Sequence, residues 1–142
     1  MKTETQQNEG YTLFNNLLAA FNQGAREVLS LFTDDAVIEY PYATSLGSPT
    51  RLNKQDYSEH LTFILPKMPD IRFSEIRIYP LSETDSYWAE PHGEAIIPKT
   101  GKKYQQDYVM YFTVRDKQIS FYREYWNPQA VLQAFDELEN TK

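Results

Sequence analysis

Asp116–Pro128 reads DKQISFYREYWNP, and the fold follows from how this stretch is read. Asp116 and Lys117 are turn residues. From Gln118 to Trp126 the chain is dense in Ile, Phe, Tyr and Trp, which favour a pleated, half-buried surface. Asn127 then Pro128 has the form of a helix N-cap followed by a first-turn proline. Side chains alternate along a strand, so Tyr122, Glu124 and Trp126 point one way and Phe121, Arg123 and Tyr125 the other. Arg123 is therefore badly placed to neutralise Glu124. An acid between two aromatic rings and without a cation is a candidate for a raised pKa and for general acid work. The plainer alternative is a carboxylate on a wet face, or one paired with a base elsewhere.

Working outward, Tyr104–Val114 predicts a long strand that pairs with Gln118–Trp126 across the Asp116–Lys117 turn. Its alternation groups Asp107 with Gln105, Val109 and Tyr111, a face that either lines a pocket or meets another chain. Further upstream, Ile71–Tyr79 and Ser86–Ile97 read as strands. A bulge is expected at Pro91–Gly93, and a hairpin turn at Pro98–Gly101. The first half is helical. Met1–Gly10 reads as a polar tail. Leu13, Phe14, Leu17, Leu18 and Phe21 make Tyr11–Asn22 an amphipathic helix, and Gly24 separates it from a short one at Ala25–Phe32. Thr33–Asp35 reads as a turn before a first strand, Ala36–Tyr42. A loop at Thr44–Leu52 leads to a third helix, capped by Asn53 with Asp56 three residues on and ending near Leu65 before Pro66. His60 lies on or beside the buried face of that helix, where a histidine serves either packing or proton transfer. Pro128–Leu138 predicts a closing helix, with Glu139–Lys142 as a tail. The expected architecture is one α+β domain over 11–138, a curved and mostly antiparallel sheet with helices across its concave face. Such a cone can shelter a small molecule.

Composition narrows the function. The chain has 142 residues, with 41% apolar, 24% charged and 15% aromatic content. The aromatic share, including 11 Tyr, suits a domain that lines a cavity with rings carrying polar tips. A net charge of −6 without a basic run argues against a nucleic-acid partner. With no Cys and only two His, thiolate sites are excluded and a metal site has little support, so no cofactor is expected. The polar N-terminus lacks the apolar core of a signal peptide, and no apolar run approaches a membrane span. The expectation is a soluble cytoplasmic protein with no membrane partner.

Several segments carry a resemblance: FTDDAVIEYPY at Phe32–Tyr42, the Glu59-His60 pair, YWAEPHGEAIIP at Tyr87–Pro98 and YREYWNP at Tyr122–Pro128. Together they resemble the SnoaL-like branch of the nuclear-transport-factor-2-like (NTF2-like) superfamily. That superfamily includes ketosteroid isomerase and limonene epoxide hydrolase, and the nearest likeness is to the PhzA/PhzB proteins of phenazine biosynthesis. The resemblance implies a cone-shaped pocket and a homodimer formed through the outer sheet faces. It implies that a His on the third helix and a Glu on the last strand handle protons, positions matched by His60 and Glu124. The family's Ser one turn after that His is replaced by Ile64, which cannot donate a hydrogen bond. SnoaL-type cyclases use an Asp base, for which Asp107 is the candidate. Tyr40, Tyr42, Trp88, Tyr104, Tyr122 and Trp126 are candidate walls for a small hydrophobic or aromatic ligand, core packing being the alternative for each. The expected activity is cofactor-independent acid/base chemistry on a carbonyl compound: isomerisation, aldol-type cyclisation, dehydration or condensation. The alternative is a non-catalytic binding module of the same fold.

Overall fold

A computed structural model describes residues 4–135. In chain order it contains α1 (Glu4–Ala20), α2 (Ala25–Leu29), β1 (Phe32–Glu39), β2 (Arg51–Leu52), α3 (Lys54–Ile64) and β3 (Arg72–Pro80). β4 (Ser86–Ile96), β5 (Lys103–Asp107), β6 (Val109–Arg115), β7 (Gln118–Tyr125) and α4 (Pro128–Ala134) follow. The fold is α+β. The strands form one sheet in the order β2-β1-β7-β6-β4-β3, with β5 also on β4. Among the described residues only β1 and β7 run parallel, and every other pair is antiparallel.

Local chemistry accounts for the elements around β7. Asp116 and Lys117 both take positive φ, 52° and 65°, as a two-residue hairpin between right-twisted strands requires. Arg115 then faces Gln118, and the register runs on to Val109 opposite Tyr125. At the far end the Asn127 side chain accepts the Gln129 N–H at 2.9 Å, and Pro128 opens α4. Asn53 caps α3 in the same way, its side chain accepting the Asp56 N–H at 2.8 Å. The inner sheet face buries Ile38, Tyr87, Met110, Phe112, Ile119 and Tyr122. α1 packs onto it through Phe14, which stacks on Phe112 at 5.5 Å, and Phe112 stacks in turn on Tyr87 at 5.2 Å.

Several sequence expectations change. α1 starts at Glu4, so much of the polar stretch before Tyr11 is helical. The turn expected at Thr33–Asp35 is instead a bulge inside β1. Phe32 pairs with Ile119 and Val37 with Phe121, so the intervening residues are accommodated within the strand pairing. Thr33 Oγ1 donates to Asp35 at 2.9 Å, and Arg115 reaches Asp35 from β6. The single strand expected over Tyr104–Val114 is divided at Tyr108 into β5 and β6. The irregularity expected at Pro91 thus falls across from it: Pro91 has no N–H to give, and its carbonyl accepts from Tyr108 N at 3.0 Å. β4 pairs with β6 before this point and β5 after it. The closing helix is described as far as Ala134; Leu138 and the expected tail at 139–142 lie outside the described residues.

Gly10 shows how tightly α1 sits. A Cβ at this position would lie 2.1 Å from Cζ of Tyr87, an impossible contact. In an exposed helix Gly→Ala is stabilising by about 1 kcal/mol. Here Gly10→Ala is expected to destabilise by about 1–3 kcal/mol, because the Tyr87 ring must leave its stack. Urea denaturation midpoints check this; equal or greater stability for the variant would contradict the packing.

Candidate active site

Strand alternation sets the site. On β7, Tyr122 and Glu124 face inward and Arg123 outward, where Arg123 Nε donates to Glu39 at 2.9 Å and its guanidinium lies over the Phe121 and Tyr111 rings. The arginine next to the acid in sequence is thus committed to the other side of the sheet. Glu124 pairs in register with Met110 of β6 and accepts a 2.5 Å hydrogen bond from the Tyr122 hydroxyl. Burial pushes its carboxyl up to about 7, opposed by the Tyr122 hydrogen bond. Glu124 is nevertheless only half-buried, so the rings do not fill all the space against it.

Five tyrosines surround this acid. Burial raises the pKa of Tyr40, Tyr57, Tyr108 and Tyr122 well above the ordinary phenol value, and that of Tyr104 to about 12, with Glu124 a further cause in each. All five therefore stay protonated at neutral pH and keep an O–H to donate. The Tyr104 and Tyr108 hydroxyls lie 2.8 Å apart, and Gln106 Nε2 donates to Tyr104 at 3.3 Å. The buried Gln106 also clamps the corner after β7: its Oε1 accepts Asn127 N–H at 2.8 Å and its Nε2 donates to Asn127 O at 3.1 Å. Tyr57 of α3 packs against Phe32 at 5.2 Å and Tyr122 at 6.4 Å. His60, one turn further along α3, is half-buried and tilts against Tyr40 with 5.4 Å between ring centres. Burial lowers its pKa, which keeps the imidazole neutral at physiological pH.

The sequence candidates divide between the two faces. Glu124, Tyr40, Tyr104 and Tyr122 gather on the inner face, with His60 reaching them through Tyr40. Trp126 packs against Tyr40 at 6.3 Å and also borders an outer groove. Tyr42, Trp88 and Asp107 line that groove, a space of about 600 Å³, and not the inner cluster. Asp107 thus borders a pocket, on the outward face of the sheet and not beside Glu124. Its position on β5 turns it outward, with a side chain 91% exposed and bonded to His92 Nδ1 at 2.7 Å. Trp88 Nε1 donates to Glu90 at 2.9 Å, also outside. Ile64 is half-buried at the C-terminal end of α3. Tyr57, Tyr108 and Gln106 were missed, although the Tyr104, Gln106, Tyr108 alternation was visible on the face opposite Asp107. Among the described residues no cluster of three or more His, Cys, Asp or Glu is arranged to hold a metal ion, and no helix is long and apolar enough to cross a membrane.

Residues 14–122 match the model of the SnoaL-like domain. The chain belongs to the SnoaL-like family. An uncharacterised PhzA/B-like protein of Pseudomonas aeruginosa is 32% identical to this SnoaL-like chain over 127 residues, 89% of each protein. A Bacillus subtilis protein provisionally named an isomerase has a crystal structure that matches with TM-score 0.84 and 27% identity, over 92% of this chain and 95% of that one. A pinacolase from Penicillium brevicompactum shares the fold at TM-score 0.78 and 13% identity, over 94% and 96% of the two chains. The family match ends at Tyr122, two residues before Glu124.

The raised carboxyl has a consequence for stability. The folded protein holds the Glu124 proton more tightly than the unfolded chain, so between its ordinary value of 4.5 and about 7 the native state binds more protons. Stability from this group is present at low pH and is lost as pH rises through that window. Glu124→Gln, which carries no charge at any pH, is expected to raise the melting temperature at pH 8 by several degrees, with a ceiling of about 3 kcal/mol. At pH 4 the gain should vanish. Melting curves at both pH values decide it; a pH-independent effect would mean that Glu124 is not desolvated.

Proposed function

We propose that this SnoaL-like protein is a cofactor-independent enzyme that moves protons on a small carbonyl compound held against the inner sheet face, with Glu124 as the proton carrier. The observation that carries this reading is the Glu124 carboxyl on the inner face, which accepts from the Tyr122 hydroxyl at 2.5 Å while Arg123 is held by Glu39 on the other face, with burial pushing the carboxyl to about 7. An acid with that value exists in both protonation states near neutrality, which suits general acid and general base work alike. The ionised carboxylate would take a proton from the carbon beside the carbonyl. The electron pair left on that carbon delocalises onto the carbonyl oxygen, which the protonated tyrosines can meet with O–H donors. Returning the proton to a different carbon gives an isomerisation. Delivering it to a departing hydroxyl gives a dehydration, and attack of the enolate on a second carbonyl closes a ring. His60, neutral and beside Tyr40, is the second proton acceptor where acid and base must be separate groups.

The test needs no natural substrate. Hydrogen–deuterium exchange at the α-carbon of 2-indanone in D2O, followed by NMR, should run faster with the protein than in buffer alone. The protein-dependent rate should rise with pH through about 7, as the carboxylate form appears. Glu124→Gln should lower it by about 100-fold or more. Undiminished exchange in that variant would remove the enzymatic reading and leave a binding module.

The outer groove supports a further part of the same proposal, self-association. Tyr42, Trp88, Tyr125 and Trp126 line it, and Tyr42 is 49% exposed, an aromatic surface of the kind that paired subunits cover. Sedimentation should show a dimer, and Trp88→Glu should shift it towards monomer. A monomer in the unaltered protein would end this part.

A further inference from the structure

The Glu124 carboxyl is held at one oxygen. Its Oε1 accepts from the Tyr122 hydroxyl at 2.5 Å, and among the described residues no other hydrogen bond reaches the carboxyl. Oε2 is not among the fully buried polar atoms that lack a partner, so the half-buried acid keeps open surface at this second oxygen. Tyr122 has no such freedom. It is fully buried, Phe32 meets its ring edge-on with 5.7 Å between centres, and Tyr57 packs against it at 6.4 Å. Phe112 lies opposite it in the β6 register. Close packing fixes the phenol, so its hydroxyl stays where the strand puts it. Among the described residues the other groups facing the acid are uncharged at neutral pH. Tyr40, Tyr57, Tyr104 and Tyr108 keep their protons, and Met110 stands opposite on β6. His60 lies against Tyr40, and burial lowers its pKa. A donor to a carboxylate favours the ionised form, whereas burial favours the neutral one. Tyr122 is therefore the counterweight to burial at this acid.

We infer that Tyr122 is the positioning residue of the proposed proton transfer: its hydroxyl fixes Oε1 of Glu124, leaves Oε2 as the oxygen that meets a substrate, and holds the acid in the range where it can also act as a base. This rests on the proposed role of Glu124 and adds to it. Tyr122 itself does not touch the substrate, because its ring is enclosed and its one O–H is committed to the carboxyl. A hydrogen bond to an ionised carboxylate is stronger than one between neutral groups, so its loss registers directly in the proton affinity of the acid.

The experiment compares Tyr122→Phe with the unaltered protein in two titrations. In the first, glutamate carrying 13C at its side-chain carboxyl is incorporated, the Glu124 signal is recognised by its absence from Glu124→Gln, and its midpoint is followed by NMR. The midpoint should move from about 7 to about 8, because the ionised form has lost its donor. In the second, α-carbon exchange of 2-indanone should follow the same midpoint. The variant should be about fivefold slower at pH 7, the deficit should close above about pH 8, and KM should change by less than about twofold. Gly10→Ala strains α1 against Tyr87 and leaves the partner of the carboxyl in place, so its midpoint should stay at about 7. Uniform replacement of tyrosine by 3-fluorotyrosine, a more acidic phenol, leaves every side chain its size and should move the Glu124 midpoint below 7. An unmoved or lowered midpoint in Tyr122→Phe, an equal rise in Gly10→Ala, an unmoved midpoint with 3-fluorotyrosine, or a KM raised about tenfold would each overturn the inference. Failure of the enzymatic reading gives a different pattern. Exchange would not depend on the protein at all, while the Glu124 signal still shifted between Tyr122→Phe and the unaltered chain.

Discussion

A lone carboxyl on the inner face of β7 is the constraint to which the rest of the structure answers. An ionised acid away from water is costly unless a cation accompanies it. Here the adjacent arginine lies on the opposite face of the sheet, bonded there to Glu39. The group responds by holding its proton up to about neutral pH, with one phenol hydrogen bond in partial compensation. Around it are side chains that can sit in an apolar enclosure and still present a polar tip, and tyrosine is the residue that does both.

The scaffold gives that enclosure fixed walls. The break at Tyr108 re-pairs β4 from β6 to β5, and β5 carries Tyr104 and Gln106 on its inner side. Gln106 is satisfied at both ends by the Asn127 backbone, which ties the corner after β7 to β5. Beyond the bulge in β1 the chain continues to Tyr40, and α3 supplies Tyr57 and His60 from above. The stack of Phe14, Phe112 and Tyr87 forms a floor with no room for a methyl group at Gly10. Polar groups held by packing in this way are preorganised, and they need not rearrange when charge develops nearby.

Two surfaces of one sheet thus carry different chemistry. The inner face holds an acid, phenols and apolar rings. The outer face holds ion pairs, such as Arg123 with Glu39 and Arg77 with Glu90, beside an open aromatic groove. Trp126, at the end of β7, touches both. Solved structures that share this fold carry names that include an isomerase and a pinacolase, and the fold by itself does not fix the reaction.

Much of the fold was legible in the sequence, because period-two alternation, turn residues and caps are local properties. Asp116–Lys117, the Asn53 and Asn127 caps and the opposite facing of Glu124 and Arg123 needed no distant information. Segments whose local composition has more than one solution were misjudged: Thr33–Asp35 can make a turn or a bulge, and only its pairing with β7 selects the bulge. Asp107 illustrates the same limit for the site. Alternation put it with Gln105, Val109 and Tyr111, but which face is the interior depends on where the helices pack. The chain by itself determined that Glu124 would stand apart from its neighbouring cation. Only the tertiary structure decided that five tyrosines converge on it, from β5, β7 and α3, from the residue after β1 and from the break between β5 and β6, because that convergence is set by strand order and register between residues far apart in the chain.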